Sequence, residues 1–234
     1  MATMPSNVEA FEHQWGYHIL PDGRGVKFSY CDTTHVYRVE DPFDKHCFDV
    51  PSVSGIIRNS GLGEDYSNVP AERLERKRII GSYVAKAMHL FQLGELDLDS
   101  LDPEVGPYFD GYRLFLKQSG FQVRWSERVV IGCINGLWWA GRLDLEGEWQ
   151  GCAWILDGKI TSEAHPSHEI QTAGYALAMP KPIKPPFRYK RGTLYLRPGT
   201  YLAPKEHSKT SDEDIFLSAL RLEWSKKQRG IYGR

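Results

Sequence analysis

The spacing of apolar and polar positions changes several times along this chain, and each change marks an element. Val26–Tyr30 and His35–Val39, rich in β-branched and aromatic residues and separated by the turn-prone Asp32-Thr33-Thr34, are candidate strands near the N-terminus. Pro51-Ser52-Val53-Ser54 leads into a short helix expected over Val53–Asn59. From Ala71 to about Gln92, the residues Leu74, Ile79, Ile80, Val84, Ala87, Met88 and Phe91 recur near the helical period, the longest such stretch. A further helix, Pro107–Gln118, is predicted to end at Gly120.

Three strands then follow in succession, about Gln122–Ile134, Leu137–Glu146 and Ala153–Ile160. The first two are joined by Asn135-Gly136, the strongest short signal for a type I′ hairpin. That turn pairs Ile134 with Leu137 and Cys133 with Trp138, and continuing the ladder places Glu127 opposite Asp144. A second turn at Gln150-Gly151 would put Asp144 opposite Asp157, whereas a turn nearer Gly147 would shift that pairing. A helix over Ser167–Met179, a Pro- and Lys-rich loop Pro180–Tyr189 and two short strands around Pro198-Gly199 come next. Ser211-Asp212-Glu213-Asp214 reads as the capped start of a last helix, Asp212–Gln228.

Composition narrows the class without naming a chemistry. A chain of 234 residues, 41% hydrophobic and 25% charged, can bury one sizeable core, and without repeats or linkers it is expected to form a single α/β domain. Its net charge of −1 does not exclude an anionic partner, because basic clusters can sit inside a neutral total. Cys31, Cys47, Cys133 and Cys152 form no CxxC pair and are expected to be reduced thiols. No basic-then-apolar leader occupies Met1–Gln14, and no apolar run approaches the roughly 20 residues of a membrane span. A cytoplasmic protein without membrane contact is the expectation.

The chemistry concentrates where the strands meet. Asp157 and Lys159 project from one face of a strand with only Gly158 between them, and Asp144 lies in the strand before. If the hairpin register holds, Glu127 joins them. Like charges facing each other destabilise a sheet, so the cluster calls for a cation, and oxygen ligands favour Mg²⁺ or Mn²⁺ over zinc. Lys159 would hold or deprotonate a water, or neutralise charge building on a phosphate. The plainer alternative is a salt-bridge cluster on a hairpin.

These residues resemble the PD-(D/E)XK nuclease superfamily, in particular its RecB-like branch with the phage-type exonucleases. Gly141-Arg142-Leu143-Asp144 is similar to its Gly-x-x-Asp motif, and Ile155-Leu156-Asp157-Gly158-Lys159-Ile160-Thr161 to its Asp-x-Lys strand. Glu127 is similar to the acid of the preceding strand, and Gln171-Thr172-Ala173-Gly174-Tyr175 to a Gln-x-x-x-Tyr helix. The match covers about residues 120–180. It implies a restriction-endonuclease-like core: a central mixed sheet with an antiparallel hairpin meander, flanked by helices. Residues 1–60 would form N-terminal strands and loops, and 181–234 a basic loop, short strands and the C-terminal helix.

The resemblance also implies Asp144, Asp157 and the Gly158 carbonyl as ligands of Mg²⁺ or Mn²⁺. Lys159 would position the attacking water, with Glu127 as an outer ligand or base. Gln171 and Tyr175, four residues apart on one helical face, would brace the site or touch DNA. The implied activity is a metal-dependent deoxyribonuclease, an exonuclease in phage or bacterial recombination or repair. Its setting would be the cytoplasm of a bacterial or phage-infected cell. DNA ends or single strands are the implied substrate, and a homo-oligomer and a single-strand annealing or recombination partner are compatible with it. A structure- or site-specific endonuclease of the same fold, or an inactive DNA-binding protein, are the alternatives.

One position departs from the family pattern. Where the branch usually carries a histidine four residues after the helix glycine, counting from Gly81 gives Ala85, with His89 one turn further on. For nucleic-acid contacts, Lys181, Lys184, Arg188, Lys190 and Arg191, interleaved with Phe187 and Tyr189, form the best basic cluster. Arg73, Arg76, Lys77 and Arg78 form a second. Trp138 and Trp139 point to opposite faces and are candidates for stacking on bases or for the core.

Overall fold

The computed structural model describes residues 14–161, 163–183 and 185–231. Two sheets and five α-helices make an α/β structure. The first sheet is an antiparallel meander of β1 (Gln14–Ile19), β2 (Gly25–Cys31), β3 (Val36–Glu40) and β4 (Cys47–Val50). The second has five strands in sequential order, β5 (Gln122–Ile134), β6 (Leu137–Trp149), β7 (Cys152–Lys159), β8 (Lys190–Arg197) and β9 (Thr200–Glu206). It is mixed: β7 and β8 run parallel and the other neighbours antiparallel. A parallel pair needs a crossover, which α4 (Pro166–Ala178) supplies. The remaining helices are α1 (Val53–Asn59), α2 (Ala71–Leu93), α3 (Gly106–Ser119) and α5 (Ser211–Gln228). None of the helices is long and apolar enough to cross a membrane.

The expected helices all form, and the three central strands form with β6 extended to Trp149. Strands β1 and β4 were not anticipated. In β1 the apolar Trp15, Tyr17 and Ile19 face solvent while His18 is buried, so alternation along this strand runs opposite to the usual rule. Strand β4 has only four residues, too few for a period to show. The last helix also starts differently. Its N-cap is Thr210, whose side chain makes no capping bond, and Asp212 is drawn instead into an ion pair with Arg191.

Asn135 and Gly136 have the expected type I′ conformation, with φ of 52° and 76°, and the second turn falls at Gln150 and Gly151, with φ of 51° and 74°. The first turn pairs Ile134 with Leu137 and keeps that register out to Ser126–Leu145, which leaves Glu127 facing Asp144. The second pairs Trp149 with Cys152 and Leu145 with Leu156, so the next position along brings Asp144 to Asp157.

Three apolar clusters hold the layers together. One face of the β5–β7 strands packs Val130, Trp139, Leu143 and Ile155 against α1, α4 and α5. Leu145, Leu156, Leu194 and Leu196 pack against α2 and α3. Ile131, Trp138 and Ala140 bury the far end of the β5–β6 hairpin against the first sheet. Trp138 and Trp139 are thus both core residues, and Trp139 Nε1 donates to the Gly174 carbonyl at 3.0 Å, so neither presents a face for base stacking. Within β6 the side chains change partners around Asp144: Leu143 belongs to the α4 cluster and Leu145, two residues on, to the α2 cluster. Glu127, opposite, has a φ of 52°, left-handed for a non-glycine residue. Backbone irregularity of this kind concentrates where structure is held for a purpose other than the ladder.

Candidate active site

The β6–β7 ladder has its last pair at Leu145–Leu156, although both strands continue. Beyond it the N–H of Gly158 donates to Asp144 Oδ2 at 2.7 Å, so a side chain takes the backbone donor. Asp157, on the other side of Leu156, is 1% exposed. Lys159 Nζ lies 2.6 Å from Asp157 Oδ2, an ion pair without hydrogen-bond geometry, and neither Asp157 oxygen has a hydrogen-bond partner. A buried carboxylate in that condition costs free energy unless something else satisfies it.

The neighbouring acids sharpen the imbalance. Burial first, and then the charges of Asp157 and Glu127, push the Asp144 carboxyl well above its ordinary range, against the opposing pull of Lys159 and the Gly158 N–H. Glu127 is raised too, by burial and by Asp32 and Asp157, with Arg142 acting the other way. For Lys159, burial alone would lower the ammonium's pKa, but Asp157 and Asp144 outweigh it and the net shift is upward. Lys159 is therefore charged at neutral pH in this setting, which suits it to stabilise an anion and not to take a proton.

Arg142 supplies a contact that sequence reasoning missed. Its Nε lies 2.7 Å from Glu127 Oε2, its Nη1 donates to Asp32 Oδ1 at 2.7 Å, and its guanidinium sits over the Tyr30 ring, 5.0 Å from the centroid. A signal was present. Arg142 pairs with Val129 and so lies diagonal to Glu127, within reach of a long side chain. Asp32 and Tyr30 carried no such signal, because they come from the first sheet. The same holds for Glu64, in the segment between α1 and α2, whose Oε1 is 2.9 Å from His168 Nε2. His168 Nδ1 lies 3.0 Å from the Tyr195 hydroxyl, beside the strand position paired with Lys159. Burial, and then the Lys159 charge, lower the pKa of His168.

The motifs predicted from sequence meet physically. Gly141 is required by Tyr175: a Cβ there would stand 2.6 Å from Tyr175 Cε1 and 3.0 Å from Val53 Cγ2. Gln171 Nε2 donates to the Tyr175 hydroxyl at 2.8 Å, one turn along α4. Burial and the Asp157 and Asp144 charges drive the Tyr175 hydroxyl far above its usual range, so it stays protonated.

A cleft of about 1480 Å³ opens over this cluster. Glu127, Asp144, Gly158, Lys159 and Tyr175 line it, with Asp157 just beneath. Arg142, His168, Ala85 and His89 line it as well. His89 Nδ1 lies 2.7 Å from Ser126 Oγ, next to Glu127, so that ring edge is already engaged. Gln171 is not on the cleft wall and reaches it through Tyr175. The basic cluster after α4 is arranged otherwise than expected. Arg191 is buried, pairs with Asp212, and donates to the carbonyls of Glu169 and Lys209, which ties α5 to β8. Lys190 pairs with Glu206 and covers Trp154. Arg188 is exposed, neither it nor Lys190 lines the cleft, and Lys184 lies outside the described residues. Besides Arg142 and Lys159, the cations that line the cleft come from α2, among them Arg73 and Lys77.

Among the described residues no three His, Cys, Asp or Glu side chains stand together as a ready-made metal shell. What the site offers is a carboxylate pair, Asp144 and Asp157, with a main-chain group between them at Gly158. The Asp157 carboxylate, met by Lys159 alone, and the mutually repelling acids fit a hard cation with oxygen ligands. Neither protein-family models nor curated proteins yield a match to this chain.

Proposed function

We propose that this protein is a metal-dependent nuclease of the PD-(D/E)XK type, acting on DNA and working as an exonuclease. The observation that carries this reading is the buried Asp157 carboxylate, without a hydrogen-bond partner, beside Asp144 and Lys159 at the floor of an open cleft. Buried carboxylates are normally satisfied by donors; here Lys159 is the one cation against Oδ2, and Oδ1 meets no donor among the described residues.

In this reading Asp144, Asp157 and the Gly158 carbonyl hold Mg²⁺ or Mn²⁺, which when bound supplies Lewis-acid polarisation of the phosphodiester and a more acidic water. The chain's own residues do the rest. Lys159, kept protonated, places positive charge where the phosphorane oxygens become more negative. Glu127, clamped by Arg142, is held at the edge of the carboxylate pair as an acceptor for a water proton. Tyr175, neutral and braced by Gln171, offers a hydroxyl to the same space.

The test uses end-labelled linear DNA and matched closed circular DNA with Mg²⁺, Mn²⁺ or EDTA, beside Lys159→Ala. Metal-dependent loss of the linear substrate alone, absent in the variant, is expected. Cutting of the circle would favour an endonuclease. Binding without cutting under either metal would leave a DNA-binding protein on this scaffold and refute the nuclease reading.

A further inference from the structure

The cleft has two walls of opposite character. On the sheet side stand Asp32, Glu64, Glu127 and Asp144, with Arg142 and Lys159 already committed to carboxylates. On the α2 side, Arg73, Lys77, Gly81, Ala85 and His89 follow one another at every fourth position, hence along one stripe, and all five line the cleft. Arg73 and Lys77 are exposed and, among the described residues, have no ion-pair or hydrogen-bond partner. Their neighbours differ: Arg76 pairs with Glu104 at 2.6 Å and Arg78 with Glu75 at 3.2 Å. The helix also begins on the cleft wall, at Pro70, without a side-chain cap, so its first amides add partial positive charge at the same end. Packing does not demand Gly81, since a Cβ there would only touch Ile160 at 3.8 Å; its missing side chain widens the cleft.

We propose that the α2 wall is a track for the phosphodiester backbone of a polynucleotide strand, with Arg73 and Lys77 each holding one phosphate. This rests on the nuclease reading above and specifies how that substrate lies. The sheet wall repels phosphates, so a strand follows α2 until its reacting phosphate reaches the carboxylates. One turn of helix separates the two cations, about 6 Å of rise, comparable with a single nucleotide step. The carboxylate pair lies farther along the same helix, because a Cβ on Gly158 would stand 3.5 Å from Met88 Cε. Lys77 precedes Met88 by three helical turns, roughly 16 Å along the axis. The track therefore grips the strand several nucleotides from the bond that breaks. It contributes to binding of a long substrate and not to the chemical step.

Fluorescence anisotropy in EDTA, with labelled oligothymidylate and oligouridylate across a salt series, tests this directly. Arg73→Ala/Lys77→Ala is expected to reduce the slope of log K against log salt by about 0.7 for each lost contact, alike for both oligomers because only phosphates are read. Arg76→Ala, off the cleft wall and paired with Glu104, should leave the slope within error. A change of slope as large in Arg76→Ala as in the double variant, no effect of either, a loss confined to one oligomer, or no binding by the unaltered protein would each overturn the track. With Mg²⁺, Arg73→Ala/Lys77→Ala should raise KM for a long strand without changing kcat, and leave hydrolysis of bis(p-nitrophenyl) phosphate untouched. An unchanged KM refutes the track while the nuclease stands. Absent cleavage with intact Arg73- and Lys77-dependent binding refutes the nuclease and leaves the track.

Discussion

Replacing Arg142 by alanine should destabilise this protein by leaving Glu127 without its cation. The Glu127 side chain is 14% exposed, and among the described residues its one paired cation is Arg142, itself 31% exposed and held by Asp32 and by the Tyr30 ring. Removing one partner of a buried ion pair costs about 3–5 kcal/mol, because the other charge stays behind unpaired. Arg142 is partly solvated, so the cost falls below that range, to about 2–3 kcal/mol. For a chain of this size each kcal/mol moves the melting temperature by roughly 2–4 °C, which gives a drop of about 4–12 °C. Asp32, at 76% exposure, is the internal control: Asp32→Ala removes a screened contact worth at most about 1 kcal/mol. Thermal melts in EDTA at neutral pH read both variants. Arg142→Ala/Glu127→Gln should recover much of the loss, since the stranded carboxylate is gone. If Arg142→Ala melts like Asp32→Ala, or the double variant is no better than the single, Arg142 is not what holds Glu127.

Other expectations follow from the same charges. Asp144 and Glu127 have carboxyl pKa values raised above their ordinary 3.8 and 4.5. The folded state therefore binds more protons than the unfolded one, and metal-free stability falls as pH rises from about 4 towards neutral. Asp144→Asn should flatten that fall, raise the EDTA melting temperature at neutral pH and abolish cleavage; a pH profile identical to the unaltered protein would contradict it. Added Mg²⁺ should restore neutral-pH stability in the unaltered protein and not in Asp144→Asn. Arg191→Ala strands Asp212 in a pair whose side chains are each 5% exposed, so it should destabilise by about 3–5 kcal/mol in urea melts. Where folded, that variant should bind oligothymidylate with an unchanged salt slope, and a reduced slope would return Arg191 to the nucleic-acid surface.

Much of the site was legible before folding was considered, because its strongest constraints are local. Asn135-Gly136 dictates type I′ geometry, and through hairpin register it brings Glu127 to Asp144; of the two places open for the second turn, the structure takes Gln150-Gly151, which brings Asp144 to Asp157. Helical periodicity locates α2, and start, stop and cap signals help place other α-helices, while the three central strands read in succession around their turns. The α/β class follows from that order of elements, and the mixed sheet is implied by the family resemblance. Tertiary structure alone decided which charges are free. A run of lysines and arginines does not say which face another element covers, so Arg191 goes under α5 while Arg73 and Lys77 face the cleft. Nor does local pattern bring distant groups together. Asp32 reaches Arg142 from 110 residues away, and Glu64 reaches His168 from 104, through the packing of separate sheets and helices. Strand β1 escaped notice for a related reason: its apolar side chains face outward, and only its place in the first sheet makes it a strand.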